Sequence, residues 1–367
     1  MLMGGYQKEI IKKSVQMVFK MNRIRMIRFL NISLFLIWIG WMGGCTTSEK
    51  STLDIYDAGY YQNHALSPEV RNQVKGSFEA VRRIQSSVIY RTYQFPRHQM
   101  PTVAEIPGIH LDEIAIDRTA GTHSTAGTAV VISINNRRAL LLTAAHVVSI
   151  PDTLYHFSDT QTDPNNRRLE AISIAQSKNQ YVFTNRGIEM IEMLAQDSRR
   201  DLALMKTVSD ISDTDLRALT IPKGNPNRLD WTDVVYATGY PRGVQMVTRG
   251  IASRSEHPVR RITMDLSINR GFSGGPIFAI RNDGSGLEWL GTITSAMGER
   301  DYYLVPDDTP VEDFNPEMPY RGEVFVKSAP RIYYGISNAV DIDEARSFLR
   351  ENRVMLISHG FTSDILD

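Results

Sequence analysis

Gly271-Phe-Ser-Gly-Gly-Pro-Ile-Phe-Ala-Ile280 is the stretch on which the reading of this chain turns. It sets one serine, Ser273, among glycines, whose missing side chains let backbone amides converge on a single point. A serine displayed this way sits either at an elbow running from a strand into a helix or at a turn leading into another strand. The continuation decides between them. Pro276-Ile-Phe-Ala-Ile280 is a strand-like apolar run, Asn282-Asp283-Gly284 is a turn signal, and Trp289-Leu-Gly-Thr-Ile-Thr294 returns as a second run. The pattern is a hairpin.

Similar runs recur on both sides. Upstream lie Gly127-Thr-Ala-Val-Val-Ile-Ser-Ile134, Ala139-Leu-Leu-Leu-Thr143, Leu202-Ala-Leu-Met-Lys206, Val234-Val-Tyr-Ala-Thr238 and Ile262-Thr-Met-Asp-Leu266. Short strands at this density indicate an all-β sandwich or barrel. Ser67-Pro68-Glu69 opens a helix with a capping serine and an early proline, and Val70, Val74, Phe78, Val81 and Ile84 follow at helical spacing. A strand is expected from Ser87 to Phe95, and a closing helix over about 342–352 with Asp341 or Asp343 as its cap. The segment 299–330 carries five prolines and many acids and reads as a long surface loop.

A serine hydroxyl is a weak nucleophile at neutral pH; it needs a base, a group that orients the base, and donors for the developing oxyanion. Two further segments supply the first two. Leu142-Thr-Ala-Ala-His146-Val147 ends an apolar strand on a histidine, and Asp201-Leu-Ala-Leu-Met205 starts another on an acid. The order is His, Asp, Ser. Asp197 is the one nearby rival of Asp201, and Asp201 itself could serve only to pair with Arg199 or Arg200.

These segments resemble the protease domain of the HtrA/Deg family of bacterial trypsin-like peptidases. Thr125-Ala-Gly-Thr-Ala-Val-Val-Ile132, Ala237-Thr-Gly-Tyr-Pro-Arg-Gly243, Val247-Thr-Arg-Gly-Ile-Ala-Ser253, Met264-Asp-Leu-Ser-Ile-Asn-Arg-Gly271 and Tyr334-Gly-Ile-Ser-Asn-Ala-Val340 carry the likeness outward from the three motifs. The resemblance covers about residues 69–354. It implies a chymotrypsin/trypsin-like double β-barrel with an N-terminal and a C-terminal helix. It implies a serine endopeptidase acting on protein or peptide substrates without a cofactor, with Ser273 as nucleophile, His146 as general base and Asp201 as its orienting acid. The backbone N–H groups of Gly271 and Ser273 would form the oxyanion hole. Phe272 stands where that family has Asn and trypsins have Asp, which argues against activation by an ion pair to a new N-terminus. Ser267, six residues before Ser273, argues against a cation-reading pocket. The long interval between His146 and Asp201 implies an inserted hairpin or loop, and the chain's end just past the closing helix leads us to expect no regulatory peptide-binding domain.

Two alternatives stand beside this reading, the second disfavoured by the hairpin that follows Ser273 and by the lack of βαβ alternation upstream. One is a trypsin-like domain that has lost activity and serves as a binding module. The other is an α/β-hydrolase esterase, because Gly271-Phe-Ser273-Gly-Gly275 also fits Gly-x-Ser-x-Gly, with Asp341 and His359 following in that fold's order.

The N-terminal region reads separately. Basic residues from Lys8 to Arg28 precede an apolar run, Phe29 to Met42, of about 14 residues, too short for the ~20 of a membrane span. Met42-Gly43-Gly44-Cys45 resembles the bacterial lipoprotein processing box, and Cys45 is the only cysteine of the 367 residues. The expectation is a signal peptide over 1–44, lipidation at Cys45, a tether over 45–66 and a peptidase domain over 67–360, its barrels at about 85–208 and 217–340. The protein would then be held in the cell envelope through its lipid; Thr46 rather than Asp after Cys45 points to the periplasmic face of an outer membrane. Lys plus Arg and Asp plus Glu are 41 each, so no net field favours nucleic acid. The eight histidines show no i, i+4 pair, and we expect no metal site.

Overall fold

The computed structural model describes residues 66–361, apart from 158–166, 212–215, 254–259, 307–316 and 318–323. The signal peptide, Cys45 and the tether, all but its last residue, lie outside the described residues. Within them the chain is mostly strand, 52% against 18% helix, and forms two barrels of six strands.

α1 (Pro68–Ser77) starts where Ser67 Oγ accepts from Val70 N and buries Val70 and Val74. It stops earlier than its spacing suggests. Val81 and Ile84 continue the apolar series but already belong to β1 (Val81–Gln94), which begins six residues before the expected strand. Over two such positions, spacing alone does not separate a helix face from a strand whose alternate residues are buried; tertiary pairing does. β1 pairs along its whole length with β2 (Asp117–Asn135) and also with β5 (Leu169–Thr184). β2 runs ten residues ahead of the apolar stretch that announces it, because a polar strand needs only a partner's backbone. The short helix α2 (Leu111–Ile114) lies between β1 and β2.

β3 (Arg138–Ala144), α3 (Ala145–Val148), β4 (Thr153–Phe157), β6 (Gly187–Asp197) and β7 (Leu202–Thr207) complete the first half. The ring β1-β2-β3-β7-β6-β5 closes through the β1–β5 pairing, with β4 added outside on β5. Ile84, Val131, Leu141, Val182, Ala203 and Met205 fill it. Leu140, Leu142, Leu202 and Leu204, on the other faces of β3 and β7, are buried as well. This explains why these strands read as unbroken apolar runs rather than alternating ones. The long interval between His146 and Asp201 holds β4, added outside the ring on β5, and the extended hairpin of the two barrel strands β5 and β6.

β8 (Val234–Gly239), β9 (Met246–Ser253), β10 (Arg261–Met264), β11 (Pro276–Ile280), β12 (Leu287–Pro306) and β13 (Val324–Asp341) form the second barrel. Val235, Met264, Leu266, Phe272, Ile277 and Ile293 fill its core. The segment 299–330 differs from the expected loop: β12 and β13 stay paired from Gly291↔Asp341 out to Pro306↔Val324, making a two-stranded arm. Its prolines and acids bias a reading toward loop, but Tyr302-Tyr303-Leu304-Val305 and Val324-Phe325-Val326 have strand propensity, and the register sets Leu304 opposite Val326 and Val305 opposite Phe325. α4 (Ile342–Glu351), capped by Asp341 Oδ1 accepting from Glu344 N, and α5 (Arg353–Ser358) end the domain.

Candidate active site

β3 ends in α3, whose single turn carries His146. Asp201 stands at the mouth of β7, and β7 pairs with β3 through Ala144↔Leu202, so the histidine and the aspartate arrive side by side from adjacent strands. Asp201 has a positive φ of 57°. This left-handed conformation costs ordinary residues about 1–2 kcal/mol, and Asp is among those that tolerate it best. Three hydrogen bonds hold it. Asp201 O accepts from Ala145 N at 3.0 Å, Oδ1 accepts from His146 N at 2.9 Å, and Oδ2 lies 2.8 Å from His146 Nδ1. The carboxylate therefore fixes both the backbone and the ring of His146. With Nδ1–H donating to Oδ2, Nε2 is left as the free acceptor. The imidazole is half-exposed and the carboxylate largely covered, at 49% and 20% side-chain exposure.

Ser273 comes from the second barrel, at the turn before β11. Its carbonyl accepts from Thr128 N at 2.8 Å, and it meets the His146 turn across Gly127, which packs against both Val147 and Ser273 O. Gly274 has a φ of 88°, and a Cβ there would lie 1.9 Å from Thr128 O and 3.0 Å from Ala144 N. Only glycine lets the Ser273 turn press this closely on the strand that leads to His146. The Ser273 hydroxyl makes no hydrogen bond to a described residue, as is common at substrate-free sites, where such contacts tighten on binding. Phe272 is 1% exposed in the second-barrel core, packed against Gly239, so an apolar plug anchors the turn where trypsins have a carboxylate. The N–H groups of Gly271 and Ser273 donate to no described residue and remain open.

The competing assignments do not come together. Asp197, the rival acid, accepts from the N–H groups of Arg199 and Arg200 and from the Arg200 guanidinium. Asp341 caps α4 and pairs with Arg260 at 2.8 Å, while His359 Nδ1 lies 3.3 Å from Lys206 Nζ. Ser273 leads into the antiparallel strand β11 rather than a helix, so the α/β-hydrolase elbow is not built and the Ser273, Asp341, His359 alternative is overturned.

Arg200 went unrecognised in the sequence except as a partner for Asp201. It binds instead Asp197 at 2.7 Å, Glu344 at 2.8 Å and Glu351 at 2.7 Å, at 8% side-chain exposure. The residue before Asp201 is thus clamped to α4. Sequence spacing gives no sign of this, because its partners lie about 150 residues downstream. Hydrogen bonds from Arg200 draw the Glu351 carboxyl below its usual range. For Asp197, burial acts to raise the pKa, but donation from Arg200 N, its side chain and Arg199 N outweighs that and leaves it lowered. Groups so depressed add stability that is present above their ordinary pKa of about 4 and lost as pH falls through the folded value. Arg200→Met should lower the unfolding free energy by about 3 kcal/mol, the lower end for a broken buried pair because Glu351 is half-exposed. Urea melts across pH check this. The wild type should lose stability only below about pH 4, whereas the variant, with three carboxylates crowded together, should gain stability on acidification toward pH 5.

Compared with known proteins, residues 127–285 match the family described as trypsin-like peptidase domain, and this stretch holds His146, Asp201 and Ser273. Fold and match agree on the trypsin-like double β-barrel as the architecture of this domain. Among solved structures, AlgW, an HtrA-type protease in a serine-to-alanine form with a decapeptide, is 20% identical, with a TM-score of 0.42, covering 79% of this chain and 67% of its own. No curated protein matches the chain.

Proposed function

We propose that the protein is a serine endopeptidase using Ser273, His146 and Asp201. The observation that carries this reading is the pair of hydrogen bonds the Asp201 carboxylate accepts from the backbone and ring of His146, made beside a serine turn whose Gly271 and Ser273 amides are open. In the first half-reaction, Ser273 Oγ attacks the scissile carbonyl carbon while His146 Nε2 takes its proton. The carbonyl oxygen becomes an oxyanion facing the Gly271 and Ser273 N–H groups. Collapse breaks the C–N bond, and imidazolium passes the proton to the leaving amine, which leaves an acyl-Ser273 ester. Water then repeats the sequence, giving its proton to His146 and its hydroxyl to the acyl carbon; as the acyl C–O bond breaks, the imidazolium returns that proton to Ser273 Oγ and the acid product leaves. Asp201 takes no proton; it holds Nδ1–H and stabilises the imidazolium. Labelling with a fluorophosphonate probe tests the reading, since phosphonylation needs the same activated hydroxyl. A folded chain that takes no label at Ser273 is a binding module, not a peptidase.

We further propose that Cys45 carries a lipid and that the peptidase works tethered to a membrane of the cell envelope. The support is the basic, apolar and small-residue series that precedes the only cysteine. Metabolic labelling with an alkyne fatty acid should tag the wild type and leave Cys45→Ala untagged, either soluble or as unprocessed precursor. Label that persists in Cys45→Ala refutes the anchor.

A further inference from the structure

We infer that the Thr128 hydroxyl, in the first barrel, is the positioning group that holds the oxyanion-binding peptides of the second barrel in their working orientation. This rests on the reading of Ser273 as nucleophile. Three consecutive peptide planes run through the serine turn. The plane between Arg270 and Gly271 carries the Gly271 N–H, and the plane between Phe272 and Ser273 carries the Ser273 N–H. The plane between Gly271 and Phe272 joins them and sets the angle between the two donors.

A trans peptide directs its C=O and N–H oppositely, so each outer donor is aimed by whatever holds its carbonyl. Arg270 O accepts from Arg242 N at 3.1 Å, and Phe272 O accepts from Gly275 N at 2.8 Å. Both N–H groups therefore point away from these partners, and both are open. The middle plane is held at both ends: locally Phe272 N donates to Asn269 O at 3.1 Å, and from across the barrel junction Thr128 Oγ1 donates to Gly271 O at 2.6 Å. The same oxygen accepts from Tyr240 N at 3.0 Å, so one hydroxyl uses its proton on the serine turn and a lone pair on the segment that aims Arg270. Thr128 N donates to Ser273 O, and Thr128 O accepts from Thr143 Oγ1 at 2.7 Å. Every polar atom of this fully buried residue is engaged on the turn or its supports.

The hold is needed because Gly271, at a φ of 109°, is free to adopt other conformations. Its positive φ cannot be secured by a side chain either, since a Cβ would lie 2.4 Å from Tyr240 O. Without the hydroxyl, only the local bond from Phe272 N to Asn269 O holds the middle peptide, which can pivot about it and carry the Gly271 N–H out of line. Thr128 touches no substrate, so its loss should act on the transition state and not on binding.

The test compares Thr128→Val, which keeps the shape and removes the hydroxyl, with Thr128→Ser, which keeps the hydroxyl. Each is measured by its fluorophosphonate acylation rate and by kcat and KM on a peptide. Thr128→Val should lose about tenfold to a hundredfold in kcat and in labelling rate, the scale of an ångström-level misplacement, with KM within about twofold of wild type. Thr128→Ser should stay within about threefold of wild type in kcat. If Thr128→Val does not fold, Thr128→Ala removes the same hydroxyl without setting a methyl against Gly271 O and takes its place. The inference is overturned if the hydroxyl-free variant keeps wild-type kcat, or if Thr128→Ser falls as far as it does. A wild-type chain that takes no label overturns the peptidase reading as well, whereas a labelled wild type with an equally fast hydroxyl-free variant overturns this inference alone.

Discussion

Ser273→Ala should lower kcat/KM on a peptide substrate by on the order of a millionfold while leaving the fold unchanged. At about 1.36 kcal/mol per decade, that is about 8 kcal/mol of transition-state stabilisation. In the proposed mechanism the loss is so large because the serine, histidine and aspartate would act as one unit: without the hydroxyl, the proton handling of His146 would have nothing to serve. Stability should hardly change, since the hydroxyl makes no hydrogen bond to a described residue and the turn is anchored by other atoms. Those anchors are the Ser273 carbonyl on Thr128 N, the buried Phe272 side chain and Gly274 N donating to Ile293 O. The open Gly271 and Ser273 amides survive the substitution, so a remnant of about a thousandfold over water is expected. Parallel measurements of peptide hydrolysis and thermal unfolding check this. A loss below about a hundredfold would show that another group supplies the nucleophile.

Asp201→Asn should cost about ten thousandfold in kcat, again with the fold intact. The geometry says why an isosteric change is so damaging. Asp201 Oδ1 accepts from the His146 backbone N–H, and that donor still requires an oxygen in the variant. The amide must therefore place its carbonyl there and its NH2 toward Nδ1. Nδ1 then has to accept, Nε2 carries the ring proton, and the imidazole presents a donor to Ser273 where an acceptor is needed. The base is still in place but in the wrong tautomer. Raising the pH should restore part of the activity as solvent base takes over, which a structural defect would not allow. A kcat within tenfold of wild type would remove Asp201 from the mechanism and return attention to Asp197.

Much of this was legible in the chain. The hairpin after Ser273 distinguishes barrel from elbow because turn residues and apolar alternation are local features, written in consecutive positions. His146 and Asp201 are legible for the same reason: each ends or begins an apolar run, and strand ends are where barrels gather side chains at their junction. Where local signals are ambiguous or misleading, the reading slips. Val81 and Ile84 sit at a spacing that suits helix and strand alike, and only pairing with Val130 and Gly127 on β2 makes them strand. The prolines of 299–330 conceal an arm whose strands hold each other through long-range register.

The amino-acid sequence by itself determined the all-β character, the three candidate residues with their order, and the glycines that let the turn form, because each depends on residues close together in the chain. Only the tertiary structure brought the Asp201 carboxylate onto the backbone and ring of His146, 55 positions away. It alone tied Arg200 to Glu344 and Glu351 and set Thr128 across from Gly271, 143 positions away. Those contacts join groups from different barrels or opposite ends of the domain, and no local propensity encodes them; they exist once both barrels have closed and brought their buried polar atoms within hydrogen-bond reach.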